Sequence, residues 1–232
     1  MTNPQLCRWT LFSSVQSLQT EAVSMIACAA EQAIRDTGSF SLVLAGGNTP
    51  RAVYERLCAL KTDWRAWHIY FGDERCLPVG DPERNSTMAK EAWLDHVPVP
   101  KKQVHVIPAE MGAESAAAAY SATLQPVGDF DLVLLGLGED GHTASLFPGK
   151  EWGREADAPM AMPVFDAPKP PAERVSLSAK RLSQANQVLF MVTGESKREA
   201  IMNWRAGAHI PASVIAPPHG VDVLAESHLV KS

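Results

Sequence analysis

His142 is set apart from the other histidines of the chain. It closes the run Gly136-Leu137-Gly138-Glu139-Asp140-Gly141-His142, which follows the apolar segment Phe130–Leu135, and Asp140 lies two positions before it. A carboxylate at that spacing can meet an imidazole across a turn and orient it, leaving the far ring nitrogen to act as a general base or acid. The competing use of Asp140 is to cap a backbone N–H of its own turn. His68 falls inside a strand-like run, His96 and His105 flank turns, and His209, His219 and His228 lie in a loose C-terminal part.

Three further segments carry groups suited to an anion. Gly46-Gly47-Asn48-Thr49 joins an apolar run to a helix opened by Pro50. Free N–H groups and the helix dipole there, with the Thr49 hydroxyl, form an anion site suited to a single phosphate monoester. It lacks the spacing of a nucleotide-triphosphate loop. Thr193-Gly194-Glu195-Ser196-Lys197 places a lysine in the first turn of another helix, where a cation opposes the dipole and asks for a compensating anion. Asp73-Glu74-Arg75 adds two acids and a guanidinium after a third apolar run. From Arg174 to Arg205 the chain has six Lys or Arg and two Glu, a local balance of +4 within a chain of net charge −5. An ordinary capped helix start, or solvated loops and surface, would explain each of these taken singly.

Gly136 to Gly141 also matches the G-x-G-x-x-G spacing of a dinucleotide turn. That use is rejected. Glu139 and Asp140 would repel a pyrophosphate, and Pro148-Gly149 cuts short any following helix. A glycine turn that presents acids is better suited to orienting a histidine or a sugar hydroxyl. Serine-elbow and zinc-protease motifs are missing. Cys7, Cys28, Cys58 and Cys76 have no zinc-clip spacing and read as buried free thiols.

These groups need elements to position them. Apolar residues recur at helical steps over 14–35, and Asp36-Thr37-Gly38 stops that helix. Short apolar runs at 40–45, 67–71, 130–135, 175–177 and 188–192 read as strands, as does 104–107; helices are expected near 50–60, 86–95, 115–124 and up to Trp204. The proline-rich stretch 150–172 reads as a long excursion. Strands alternating with helices predict an α/β fold: a Rossmann-like, mostly parallel sheet with helices on both faces, as one domain over 1–232. Ligands of such sheets sit beyond the carboxyl ends of the strands, where all four polar segments fall. The net charge argues against nucleic acid as the main partner, and no apolar run is long enough to span a membrane. Met1–Thr10 has no leader pattern, so the expected location is the cytoplasm.

The segments together resemble the 6-phosphogluconolactonases. Gly46 to Pro50, Gly72 to Arg75 with Pro78, and Leu135 to Gly149 carry the likeness, with Arg174 to Ser178, Val192 to Lys197 and Ile210 to Ser213 extending it. The resemblance implies the Rossmann-like fold shared with glucosamine-6-phosphate isomerases, and hydrolysis of 6-phosphoglucono-1,5-lactone with no metal and no organic cofactor. It matches His142 to the general base, Arg75 to an arginine at the substrate, and Gly46 to Thr49, Arg174 and Lys197 to the phosphate side; Asp73 is expected among the substrate-binding residues and is also a possible base. Asp140 as the orienter of His142 comes from spacing alone. The implied partner is a small sugar phosphate, and the chain is expected to be a monomer or weak homodimer. Two alternatives are a sugar-phosphate isomerase or deaminase and a non-enzymatic sugar-phosphate sensor. The related isomerases carry a glutamate just before the proline where this chain has Phe147.

Overall fold

A computed structural model describes residues 5–230. The leader-free reading of Met1–Thr10 rests partly on residues 1–4, which lie outside the described residues. The strands are β1 Cys7–Phe12, β2 Phe40–Leu44, β3 Trp67–Phe71, β4 Asp73–Arg75, β5 Phe130–Leu135, β6 Ala161–Val164, β7 Arg174–Leu177, β8 Ala185–Val192 and β9 Val221–Glu226. The helices are α1 Val15–Thr37, α2 Asn48–Leu57, α3 Asn85–Ala89 (continued by a π turn over Lys90–Leu94), α4 Ala113–Leu124, α5 Ala179–Ser183 and α6 Arg198–Arg205.

α1 forms where the periodicity puts it, with both ends closed. The Ser17 N–H donates to Ser14 Oγ at 3.2 Å, and Gly38, at φ 79°, donates its N–H to Ile34 O at 2.9 Å. Leu18, Ala22, Ile26, Ala30 and Ala33 make its buried stripe. Cys28 falls off that stripe and is exposed. Cys58 is exposed as well, and Cys7 and Cys76 are half-buried. The thiols are free, but the expectation of burial is corrected: an apolar stretch does not say which face of a helix a residue takes.

Six strands form one parallel sheet in the order β1-β9-β8-β5-β2-β3. α1 packs against β1, β2, β5 and β9, and α5 packs on β8. The α/β fold class holds. Phe130, Leu132, Val133 and Leu134 of β5 are fully buried, each contributing about 1.5–3 kcal/mol. From β2 the chain runs outward to β3 on one side, and β5 resumes on the other side of β2. The turns after β2 and β5 therefore flank a topological switch point, the usual ligand crevice of an open parallel sheet.

Several expectations need correction. Asp73–Arg75 is a strand, paired antiparallel with β7, and β6 inside the excursion completes a small three-stranded sheet β4-β7-β6. Residues 104–107 form no strand; only Val104 bridges to Ile69. The C-terminal part is not loose. β9 is inserted between β1 and β8, and Val221, Val223, Leu224 and Ala225 are buried there. No described helix is long and apolar enough to cross a membrane.

Candidate active site

A cavity of about 530 Å³ opens beyond β2 and β5. Every residue expected at the site lines it except Asp140, which stands behind His142. Its charged lining is four cations, Arg75, Lys169, Arg174 and Lys197, against one acid, Asp73.

The imidazole is fixed from two sides. His142 Nδ1 lies 2.6 Å from Asp140 Oδ1, and the same oxygen accepts the His142 backbone N–H at 3.1 Å. Burial pushes the Asp140 carboxyl up, but the His142 N–H and ring outweigh it and hold it below its ordinary value. An ionised Asp140 is an acceptor only, so Nδ1 carries a proton, and in the neutral ring it is Nε2 that holds the lone pair. On the other side, a Cβ at Gly138 would fall 2.0 Å from His142 Nδ1. Glycine there lets the ring lie against the backbone. Gly138 N–H donates to His142 O at 2.7 Å, closing the turn, and no helix follows. The G-x-G-x-x-G spacing therefore serves a histidine. Phe147 is buried, with its ring centroid 4.8 Å from that of His142.

Asp73 is held rather than free. Its Oδ1 accepts Asn85 Nδ2 at 2.9 Å and its Oδ2 accepts Ser145 Oγ at 2.6 Å, all three residues being buried. A Cβ on Gly46 would meet Asn85 Oδ1 at 2.0 Å, so Gly46 admits this pair to the floor of the cavity. Beneath it, fully buried Glu74 accepts the Asn85 and Ser86 N–H groups at 2.7 and 2.9 Å, and its carboxylate faces Arg84 at 3.4 Å. Arg75 lines the cavity with Nη1 donating to the Glu83 carbonyl.

On the anion side no side chain caps α2, which leaves its first N–H groups for a ligand. Thr49 Oγ1 and Thr193 Oγ1 are 2.6 Å apart, joining two of the expected segments. Gly194 N–H donates to Glu226 Oε2 at 2.8 Å, so the C-terminal strand holds the turn that carries Lys197. Burial pulls the Lys197 ammonium below the ordinary lysine range, Lys169 adds to this, and Glu139 and Asp140 oppose it. Arg174, expected on the phosphate side, directs Nε to Pro171 O at 3.1 Å and Nη2 to Lys169 O and Pro170 O at 2.8 and 3.2 Å. Among the described residues no group of three His, Cys, Asp or Glu is placed to hold a metal ion.

Residues 13–224 match the family described as glucosamine-6-phosphate isomerases/6-phosphogluconolactonase. The chain belongs to this family. It is 34% identical over 220 residues to a 6-phosphogluconolactonase of Mycobacterium leprae, covering 88% of this chain and 89% of that one. To the 6-phosphogluconolactonase of Streptomyces coelicolor it is 39% identical over 189 residues, covering 74% and 72%. A crystal structure of 6-phosphogluconolactonase from Thermotoga maritima superposes with a TM-score of 0.88 at 25% identity, covering 96% of this chain and all of that one. For this member of the family, sequence reasoning missed Asn85, Ser145 and Lys169. Ser145 sat unremarked three residues after His142. Asn85 follows an arginine at an unmarked helix start. Lys169 was one charge in a proline run.

Proposed function

We propose that the chain hydrolyses 6-phospho-D-glucono-1,5-lactone to 6-phospho-D-gluconate, the second step of the oxidative pentose phosphate pathway. The observation that carries this reading is the Asp140–His142 pair, bonded at 2.6 Å in a cavity lined by four cations and one carboxylate, Asp73, each of whose oxygens accepts a hydrogen bond. Nε2 of His142 takes a proton from water as its oxygen attacks C1. The carbonyl π electrons move to oxygen, and Arg75, with Nη2 making no bond to a described residue, stabilises that oxyanion. The C1–ring oxygen bond then breaks, the ring oxygen takes the proton back from His142, and the carboxylic acid formed ionises. Remote phosphate contacts, from the α2 N-terminus, Thr49 and Lys197, hold C1 against the water. No metal or organic cofactor enters these steps.

Isomerisation is the weaker reading. It needs a base that moves a proton between C1 and C2. Phe147 stands where the isomerases resembled by this chain carry a glutamate, which leaves Asp73, held by Asn85 and Ser145, as the one acid lining the cavity, whereas hydrolysis needs a single proton shuttle. We place the enzyme in the cytoplasm as one domain, a monomer or weak homodimer, with no nucleic-acid or membrane partner. The test is paired: hydrolysis of 6-phosphogluconolactone corrected for its spontaneous rate, and NMR of glucose-6-phosphate with enzyme in D₂O. Lactonase activity without deuterium entry at C2 is expected. Exchange at C2 above the enzyme-free control would reverse the assignment.

A further inference from the structure

Two of the four cavity cations, Arg75 and Arg174, stand in the strands β4 and β7, and Lys197 ends the short 3-10 turn that follows β8. The fourth, Lys169, comes from the loop over 165–173 that joins β6 to β7 and contributes Lys169 and Pro170 to the wall. That loop is tied from inside. Arg174, buried, spends Nε and Nη2 on the carbonyls of Lys169, Pro170 and Pro171 at 2.8–3.2 Å, and Ala167 N–H donates to Ala172 O at 3.0 Å. The Arg174 guanidinium also sits 5.6 Å from the centre of the Phe147 ring, the ring that packs on His142.

The Lys169 head is held differently from its backbone. Lys169 Nζ is 3.7 Å from Glu139 Oε1, and Lys197 Nζ is 4.0 Å from the same oxygen. One carboxylate oxygen thus stands between two ammonium groups that both belong to residues of the cavity wall, while Glu139 itself is not part of that wall. A phosphate monoester carries close to two negative charges at neutral pH. Lys197 matches one of them. Arg75 and Arg174 already donate to backbone carbonyls, whereas among the described residues the partner of Lys169 Nζ is an exposed, screened glutamate.

We propose that Lys169 is a further specificity-determining residue of this site, the cation that meets the second phosphate charge, with Arg174 positioning its loop and Glu139 keeping it beside Lys197 until the phosphate arrives. The inference rests on the lactonase reading and names its substrate selector. Discrimination between a phosphorylated and an unphosphorylated lactone would then reside partly in a loop outside the parallel sheet.

The experiment measures kcat and KM on 6-phosphogluconolactone and on glucono-δ-lactone for wild type, Lys169→Met and Lys169→Arg, with circular dichroism confirming the fold of each. Lys169→Met is expected to raise KM for the phosphorylated lactone about tenfold, the scale of one charge-assisted contact. Its kcat should stay within about twofold, and its kinetics on glucono-δ-lactone should not change. Lys169→Arg is expected to restore most of the lost affinity, which a purely structural role for the methylene stem would not require. An unchanged KM for the phosphorylated substrate in Lys169→Met, or an equal loss on both lactones, would overturn the assignment while leaving the lactonase reading in place. A wild type that accelerates neither lactone would overturn both.

Discussion

The two ends of the cavity are built in opposite ways. At the His142 end the groups are fixed by short hydrogen bonds: Asp140, itself 43% exposed, holds the ring at 2.6 Å, and on the floor Asp73, Asn85 and Ser145 are 6%, 5% and 1% exposed. At the cation end Lys169 and Glu139 are 61% and 53% exposed and meet at 3.7 Å. Fixed dipoles cost no reorganisation at the moment of reaction, so the reacting centre gains from rigidity. A phosphate is recognised by charge that a flexible ammonium can follow, at the cost of screening by salt. Chemistry and selection thus draw on different physical resources within one pocket, and mutations at the two ends should separate in kcat and KM.

The largest expected effect lies at the rigid end. His142→Ala removes the proton shuttle and should lower kcat by about 10²–10⁴, the usual worth of general acid–base catalysis. A folded His142→Ala enzyme with near-wild-type turnover would show that the shuttle is elsewhere.

A smaller but sharper break comes from Gly138→Ala. The new methyl would sit 2.0 Å from His142 Nδ1, against the ring and not a flexible tip. Either the imidazole leaves Asp140 or the turn shifts, and a displacement of about 1 Å at a reacting group costs roughly 10² in rate. KM for the phosphorylated lactone should remain within about twofold, because α2 and Lys197 are untouched. A variant that keeps full kcat, measured beside an unchanged thermal transition, would mean that the ring needs no such seat.

The same contrast explains what could be read in advance. β2 and β5 are short apolar runs closed by glycines, so both the strands and the turns that hold Gly46 and His142 were visible in the chain. Strand pairing was harder. β9 carries Asp222 and Glu226 and is preceded by Pro217, Pro218 and Gly220, so it looked like a tail, although its neighbours β1 and β8 bury it. β4 reads Asp-Glu-Arg; Glu74 is buried only because Arg84 and three backbone N–H groups from 75, 85 and 86 meet it, partners that no local pattern announces. The Asp140–His142 bond was legible because both partners share one turn. The Asn85–Asp73–Ser145 set was not, since its members come from three separate segments. Arg174 was legible as a cation of the site, but its bonds to the loop carbonyls depend on a turn that composition does not specify.

The smallest expected effect concerns pH at the cation end. Burial and Lys169 hold the Lys197 ammonium below the ordinary lysine range, so Lys197 loses its proton at a lower pH than a solvated lysine. A bound phosphate favours the charged form. Binding of 6-phosphogluconate should therefore be at full strength below the depressed pKa. As pH rises through it, binding must take up a proton, and Kd should increase by at most about tenfold per unit. The phosphate itself is already a dianion there, since its second pKa is about 6, and cannot be the source of the slope. Calorimetric titration from neutral to alkaline pH should show several-fold weakening for wild type. Lys197→Arg should bind with less pH dependence, because a guanidinium stays charged throughout that range. Equal slopes in the two proteins would mean that Lys197 lines the cavity without holding the phosphate, and the charge would have to come from Arg75, Lys169 and Arg174.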